Sequence, residues 1–316
     1  MVKSLSTAFL GRVKSLLITL KKDWSRHKWK YIIIIPILIY LFFFHYKPMY
    51  GIIIAFKNYR PSLDIAGSAW VGMKNFIRFF NDPYCFRVIK NTFSISLLTL
   101  LFSFPAAIAL ALLLNEIKVN WFKRIIQTIT YMPHFIALVV VCGLINSFCQ
   151  SNGLFNDIIV FFGGDRTNLL ADPKNFYLIY ILSGIWQSTG WNSIIYLAAL
   201  AGIDQEQYEA AKIDGAGRLA QLWYITLPGL IPTISMLLVL NLGKVLSVGY
   251  EKILLLYQPL TYEVADVIST YVYRVGMVDG NYSYSTAIEL FNSVINIIFL
   301  LVSNKISKKM GQSGLF

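Results

Sequence analysis

The residues able to do chemistry lie inside or beside long apolar runs. Glu289, Asn292, Ser293 and Asn296 follow Ser285 by four, seven, eight and eleven positions, which puts all five on one helix face. Asn241, Lys244 and Glu251 follow an approximate helical spacing in an earlier run, and Trp186, Gln187, Trp191 and Asn192 surround a notch at Gly190. Polar side chains within such runs are costly and usually face a cavity or a neighbouring helix. Aromatic faces beside amides and charges suit sugars, whose C–H faces stack while their hydroxyls need hydrogen bonds. The same groups can act only as interhelical contacts, each contributing roughly 0.6 kcal/mol, and Trp can be a membrane-interface anchor. Lys244 and Glu289 can also pair with each other. His134 follows Pro133 and fits a packing or hydrogen-bonding role better than a proton relay.

Other chemistry has no residues to carry it. No GxxxxGK[ST] phosphate cradle occurs, and no HExxH or GxSxG constellation. Cys85, Cys142 and Cys149 form neither a disulfide framework nor a metal-binding pair, so no metal site is expected.

The elements holding these residues are membrane spans. Hydrophobic residues make up 56% of the 316-residue chain and charged residues only 14%, against about 25% charged in an ordinary soluble domain. The apolar residues gather into runs of roughly 20, the length needed to cross about 30 Å of hydrocarbon as a helix. Six spans are predicted, at about 31–56, 91–114, 122–148, 176–202, 225–248 and 284–303. The first is expected to break at Lys47–Pro48 and to be retained, since no small-residue cleavage site follows it.

The net charge of +12 does not indicate nucleic acid, because much of it flanks the spans. Eight of 28 Lys and Arg residues fall in the first 30 positions, and Lys305, Lys308 and Lys309 follow the last span. With Lys118, Lys123 and Arg124 in the second–third loop, the positive-inside rule puts both termini in the cytoplasm. The outer loop 57–88 is a partial exception, with Lys57, Arg60, Lys74, Arg78 and Arg87. Phe9, Leu10, Val13, Leu16, Leu17 and Leu20 recur at helical spacing among basic residues, so segment 1–28 reads as a basic amphipathic helix on membrane lipid, or else as a frayed tail. Residues 29–310 then form one membrane domain.

One connection, 203–224, is distinctive. Tyr208, Ala211, Ile213 and Ala216 give a short, weak apolar face, while Glu209, Lys212 and Asp214 keep its neighbours wet. Such a helix is too polar to span and too short to stand alone, so it must dock. Ala210, Ala211, Gly215, Ala216 and Gly217 carry little bulk and let another backbone approach, and the glycines permit a sharp turn.

Glu209-Ala210-Ala211, then Asp214-Gly215-Ala216, then Ile225, Leu227 and Pro228 resemble the EAA loop of ABC importer permeases. Tyr46-Lys47-Pro48-Met49, Met132-Pro133-His134-Phe135 and Tyr196-Leu197-Ala198-Ala199-Leu200 narrow the resemblance to carbohydrate-type permeases of the lipoprotein/polysaccharide group, related to the maltose permeases. The resemblance implies an all-α fold of six transmembrane helices, multi-pass in the bacterial cytoplasmic membrane. It makes Glu209, Ala210, Ala211, Asp214, Gly215 and Ala216 a coupling helix seated in a separate ATPase. The chain itself would be non-catalytic and bind no cofactor, ATP and Mg being held by two partner ATPase subunits. A second homologous permease and an extracytoplasmic solute-binding protein complete the implied importer of oligosaccharides or polysaccharide fragments. The aromatic residues of loops 57–88 (Trp70, Phe76, Phe79, Phe80, Tyr84) and 249–283 (Tyr257, Tyr262, Tyr271, Tyr273, Tyr282) either dock that binding protein or anchor at the interface. Alternatives are the same fold carrying peptide, amino acid or phosphate, and a non-transporting scaffold.

Overall fold

The computed structural model describes residues 26–246, 249–309 and 311. The amphipathic helix expected before residue 25 lies outside them. Five helical stretches are long and apolar enough to cross a membrane: α1 (Arg26–Phe56), α2 (Cys85–Glu116), the segment Leu138–Phe161, α8 (Arg218–Leu242) and α11 (Tyr282–Lys309). Between them lie α3 (Asn120–Tyr131), α6 (Pro173–Ala201) and α7 (Gln205–Ile213). Segment 138–161 is itself two helices, α4 (Leu138–Cys149) and α5 (Leu154–Phe161), and α9 (Tyr250–Leu256) and α10 (Ile268–Tyr273) precede α11.

Three spans differ from the sequence expectation. The break at Lys47–Pro48 does not form. Instead a π-turn at Phe42–Tyr46, in which the Lys47 amide bonds back to Phe42, carries α1 past the missing Pro48 amide. The run 122–148 is not one helix, because α3 stops at Tyr131 and a 3-10 turn at Met132–Phe135, with extended Ile136 after it, separates it from α4. The run 225–248 ends at Leu242; residues 243–246 form a turn. α6 forms as a helix of 29 residues, yet its serines, threonine and amides make it less apolar than the five spanning stretches.

Long helices α2 and α6 run side by side in the same direction. At one end Tyr177 donates to Asn91 over 3.4 Å; toward the other, Phe104 meets Tyr196 edge to face at 6.2 Å. Asp172 caps α6 by accepting from the Lys174 amide, with Pro173 in the first turn where its missing donor costs nothing. Gly190 lets α3 press against α6, since a Cβ there would stand 2.0 Å from the Thr130 carbonyl oxygen.

The end where α2 and α6 finish packs on the start of α8 through Ala107, Ala111, Leu200 and Leu230, and α7 joins α6 to α8 there. The opposite end is tied by hydrogen bonds. A two-stranded antiparallel ladder pairs Lys57–Asn58 with Ala69–Trp70. Asp82 accepts from the hydroxyls of Tyr271 and Tyr284, each at 2.7 Å. Asp266, fully buried, binds Arg274 at 2.6 Å and Thr270 at 2.8 Å, with Arg87 at 3.7 Å. Phe79 and Tyr271, expected as surface aromatics, are buried in the core here, because a small domain end must bury its largest apolar groups. Trp70, Phe80 and Tyr84 stay exposed.

Candidate functional site

Two features stand out, a central cavity and an exposed short helix. The cavity, of about 490 Å³, lies among α2, α6, the end of α8 and α9. Its polar wall holds Ser96, Thr99 and Ser103 from α2, Gln187, Ser188 and Asn192 from α6, and Asn241 from α8. The hydroxyl oxygens of Ser96 and Thr99 are buried without a hydrogen-bond partner. Lys244 and Lys252 also line it, and among the described residues no Asp or Glu does.

The reversal after α8 explains the second lysine. Gly243 packs on Leu300, and the Leu246 amide donates to Asn296 over 3.0 Å. The chain therefore turns well inside the length of α11 and re-enters as α9, which buries Lys252. Its ammonium donates to the Tyr180 carbonyl at 2.9 Å and lies 4.7 Å from the centre of the Tyr180 ring. Gly184 makes room, since a Cβ there would come within 3.3 Å of the lysine nitrogen. A buried ammonium held by a carbonyl and a ring, with no facing carboxylate, has its positive charge left for a ligand.

The structure sorts the sequence-predicted residues. Gln187, Asn192, Asn241 and Lys244 meet in the cavity. Glu251 does not; it is exposed, and its neighbour Lys252 faces inward because the turn at 243–246 ends the α8 register before α9 begins. Trp186 and Trp191 are also outside the cavity, half exposed, and Trp191 stacks on His134 at 4.5 Å with rings 3° from parallel. Glu289 and Asn292 line a second cavity, while Asn296 is used by the Leu246 amide. Lys244 and Glu289 thus belong to different cavities. Lys252, Ser96, Thr99 and Ser103 were missed. The signals were Gly243 and Gly249, which punctuate the run, and the three-and-four spacing of the α2 hydroxyls.

The exposed helix is α7. Asp204 caps it, accepting from the Glu206 amide at 3.0 Å. It ends in a Schellman motif: the Gly215 amide bonds to Lys212 and the Ala216 amide to Ala211, at 3.1 and 2.8 Å. Gly215 has a φ of +80°, a conformation that favours glycine. None of its residues is buried, and Ile213, Leu219, Trp223 and Tyr224 nearby are between 65% and 86% exposed. Tyr208 holds the helix to α8 through the Thr226 hydroxyl at 3.0 Å.

A bundle of membrane helices around a polar cavity, with a polar helix standing out from one end, defines a multi-pass membrane transport subunit. Residues 103–312 match the family described as binding-protein-dependent transport system inner membrane component, and the chain belongs to that family. It is thus a permease subunit with the type I ABC importer fold, and ATP hydrolysis belongs to a separate subunit. It is similar to the polygalacturonan/rhamnogalacturonan transport system permease protein YteP of Bacillus subtilis, 45% identical across 92% of this chain and 91% of that one. Protein LplB of the same organism is also 45% identical, across 97% and 95%. A crystal structure of a bacterial ABC transporter involved in import of the acidic polysaccharide alginate superposes with a TM-score of 0.86 at 43% identity, covering 92% of this chain and 99% of that one.

Proposed function

We propose that this permease imports oligosaccharides carrying carboxylates, fragments of acidic polysaccharides, delivered by an extracytoplasmic solute-binding protein. The observation that carries the reading is the central cavity, where Lys244 and Lys252 face hydroxyls and amides with no carboxylate among them. Lysines offset the charge of uronate groups, and the unpaired Ser96 and Thr99 hydroxyls with the neighbouring amides replace water around the sugar. The cargo of its relatives, alginate and polygalacturonan, is of this kind.

In this reading α7 lies in the cytoplasm and seats in one of two ATPase subunits, which hold ATP and Mg. Glu209, Ala210, Ala211, Asp214, Gly215 and Ala216 present its docking face, and a second homologous permease completes the path. Closure of the ATPases pushes α7, and Tyr208 passes the push to α8 and hence to Asn241 at the cavity.

Uptake of a galacturonate disaccharide and of a neutral disaccharide into vesicles containing the whole importer and its binding protein tests this. The acidic sugar is expected to be taken up preferentially, and Lys252→Met to lower its uptake about tenfold or more, the value of a charge-assisted hydrogen bond. A binding protein that takes peptides but no glycans, or full uptake by Lys252→Met, overturns it.

A further inference from the structure

A second cavity of about 520 Å³ opens beside the first, walled by α9, α10, the turn after it and the first half of α11. Gly249 lines both cavities, so they adjoin. The second lies toward the end away from α7, among Tyr250, Tyr273, Met277 and Tyr282. Tyr250 and Tyr273 stack with ring centres 6.1 Å apart and planes 27° from parallel. Gly276 brings the wall close, since a Cβ on it would stand 2.6 Å from the Ser285 hydroxyl.

Its polar atoms differ in kind from those of the central cavity. Among the described residues, Glu289 is its one charged residue. Asn292 is 2% exposed; its amide nitrogen donates to Glu289 at 3.4 Å, and its carbonyl oxygen is buried with no partner. Ser285 gives its proton to the Tyr282 carbonyl at 3.1 Å, which leaves its oxygen as an acceptor. An unpaired buried acceptor calls for a donor from a ligand. A carboxylate placed here would be repelled by Glu289 and could not satisfy the Asn292 carbonyl oxygen, whereas an uncharged sugar ring would bring hydroxyl donors and a C–H face for the tyrosines.

We infer that this vestibule is a subsite for a neutral sugar unit, adjoining the lysine chamber that holds the uronate. The inference rests on the sugar-cargo reading and adds a selection rule: cargo with mixed acidic and neutral units is preferred over cargo that is acidic throughout. Electrostatic rejection at one position suffices, because specificity is a difference between two affinities.

The test uses the complete importer in vesicles and two probes, a galacturonate disaccharide and a disaccharide of one galacturonate and one neutral hexose. Wild-type uptake should favour the mixed sugar. Glu289→Gln should raise uptake of the doubly acidic sugar relative to the mixed one by roughly threefold or more, the loss of one modest repulsive contact. Asn292→Asp should move the ratio the other way. Lys252→Met should lower both uptakes and leave the ratio in place. An unchanged ratio in both vestibule variants, wild-type preference for the doubly acidic sugar, or loss of the second permease from Glu289→Gln complexes overturns the subsite while the cargo reading stands. Failure of wild-type vesicles to take up either sugar removes the cargo reading, and the subsite with it.

Discussion

Gly215 and Gly217 separate the shape of α7 from its use. Both have open space where a Cβ would go, with no atom within 4 Å. They differ in backbone: Gly215 has a φ of +80° and Gly217 a φ of −71°. Valine at position 215 must sit in a left-handed conformation at a cost of about 2 kcal/mol, which shifts the balance between capped and frayed helix end by roughly 25-fold. Asparagine tolerates that conformation, so Gly215→Asn should retain most of the motif. Valine at position 217 keeps an allowed backbone and touches nothing within the chain. Its effect on stability should therefore be under about 0.5 kcal/mol, as for an ordinary surface change. If α7 seats in a partner that approaches its small residues closely, Gly217→Val should still weaken ATPase association. Co-purification of the ATPases, with the thermal stability of the isolated permease measured in parallel, reads both effects. Unchanged ATPase association in both valine variants would refute the docking role. Equal loss of thermal stability in both would refute the backbone argument.

Other outcomes follow from the same contacts. Arg274→Met removes the nearest cation from the buried Asp266 and leaves Arg87 at 3.7 Å; the permease should lose about 3–5 kcal/mol, and the double variant with Asp266→Asn should recover part of it in thermal melts. Gly190→Ala drives a methyl against the Thr130 carbonyl and should cost about 1–3 kcal/mol, whereas Gly143→Ala, with nothing within 4 Å, should not destabilise. Burial alone would raise the Asp82 pKa, but hydrogen bonds from Tyr271, Tyr284 and the Tyr84 amide, with the Arg78 charge, hold it below the ordinary carboxylate range. That contribution is full at neutral pH, above the unfolded-state pKa, and disappears as pH falls through the lower folded-state value. Melts of Asp82→Asn between about pH 7 and pH 3 should therefore show a shallower acid decline than wild type.

Much of the architecture is legible from one-dimensional pattern. Apolar runs identify the helices that meet lipid, because each must be long and continuous enough to satisfy its own backbone. The α7 segment reads equally well, since its weak apolar face and its turn-permitting glycine are local properties. The interruptions are harder to read. Met132–Phe135 and the turn at 243–246 sit inside stretches, 122–148 and 225–248, that are apolar enough on average to read as single spans. Pro133 and Gly243 mark both places, but a proline or glycine in a membrane helix is as often tolerated as decisive.

The sequence by itself determined that this chain lives in a membrane, that α7 projects from it, and which stretches carry polar side chains at membrane depth. Only the tertiary structure decided which of those side chains meet. The α8 reversal rotates Glu251 out and Lys252 in, and the Tyr180 carbonyl that receives its ammonium is 72 residues away in the chain. It also divides the polar residues between a lysine chamber and a carboxylate vestibule joined at Gly249. Helical spacing assigns a residue to a face, but which face borders a cavity depends on helices that pack from distant parts of the chain.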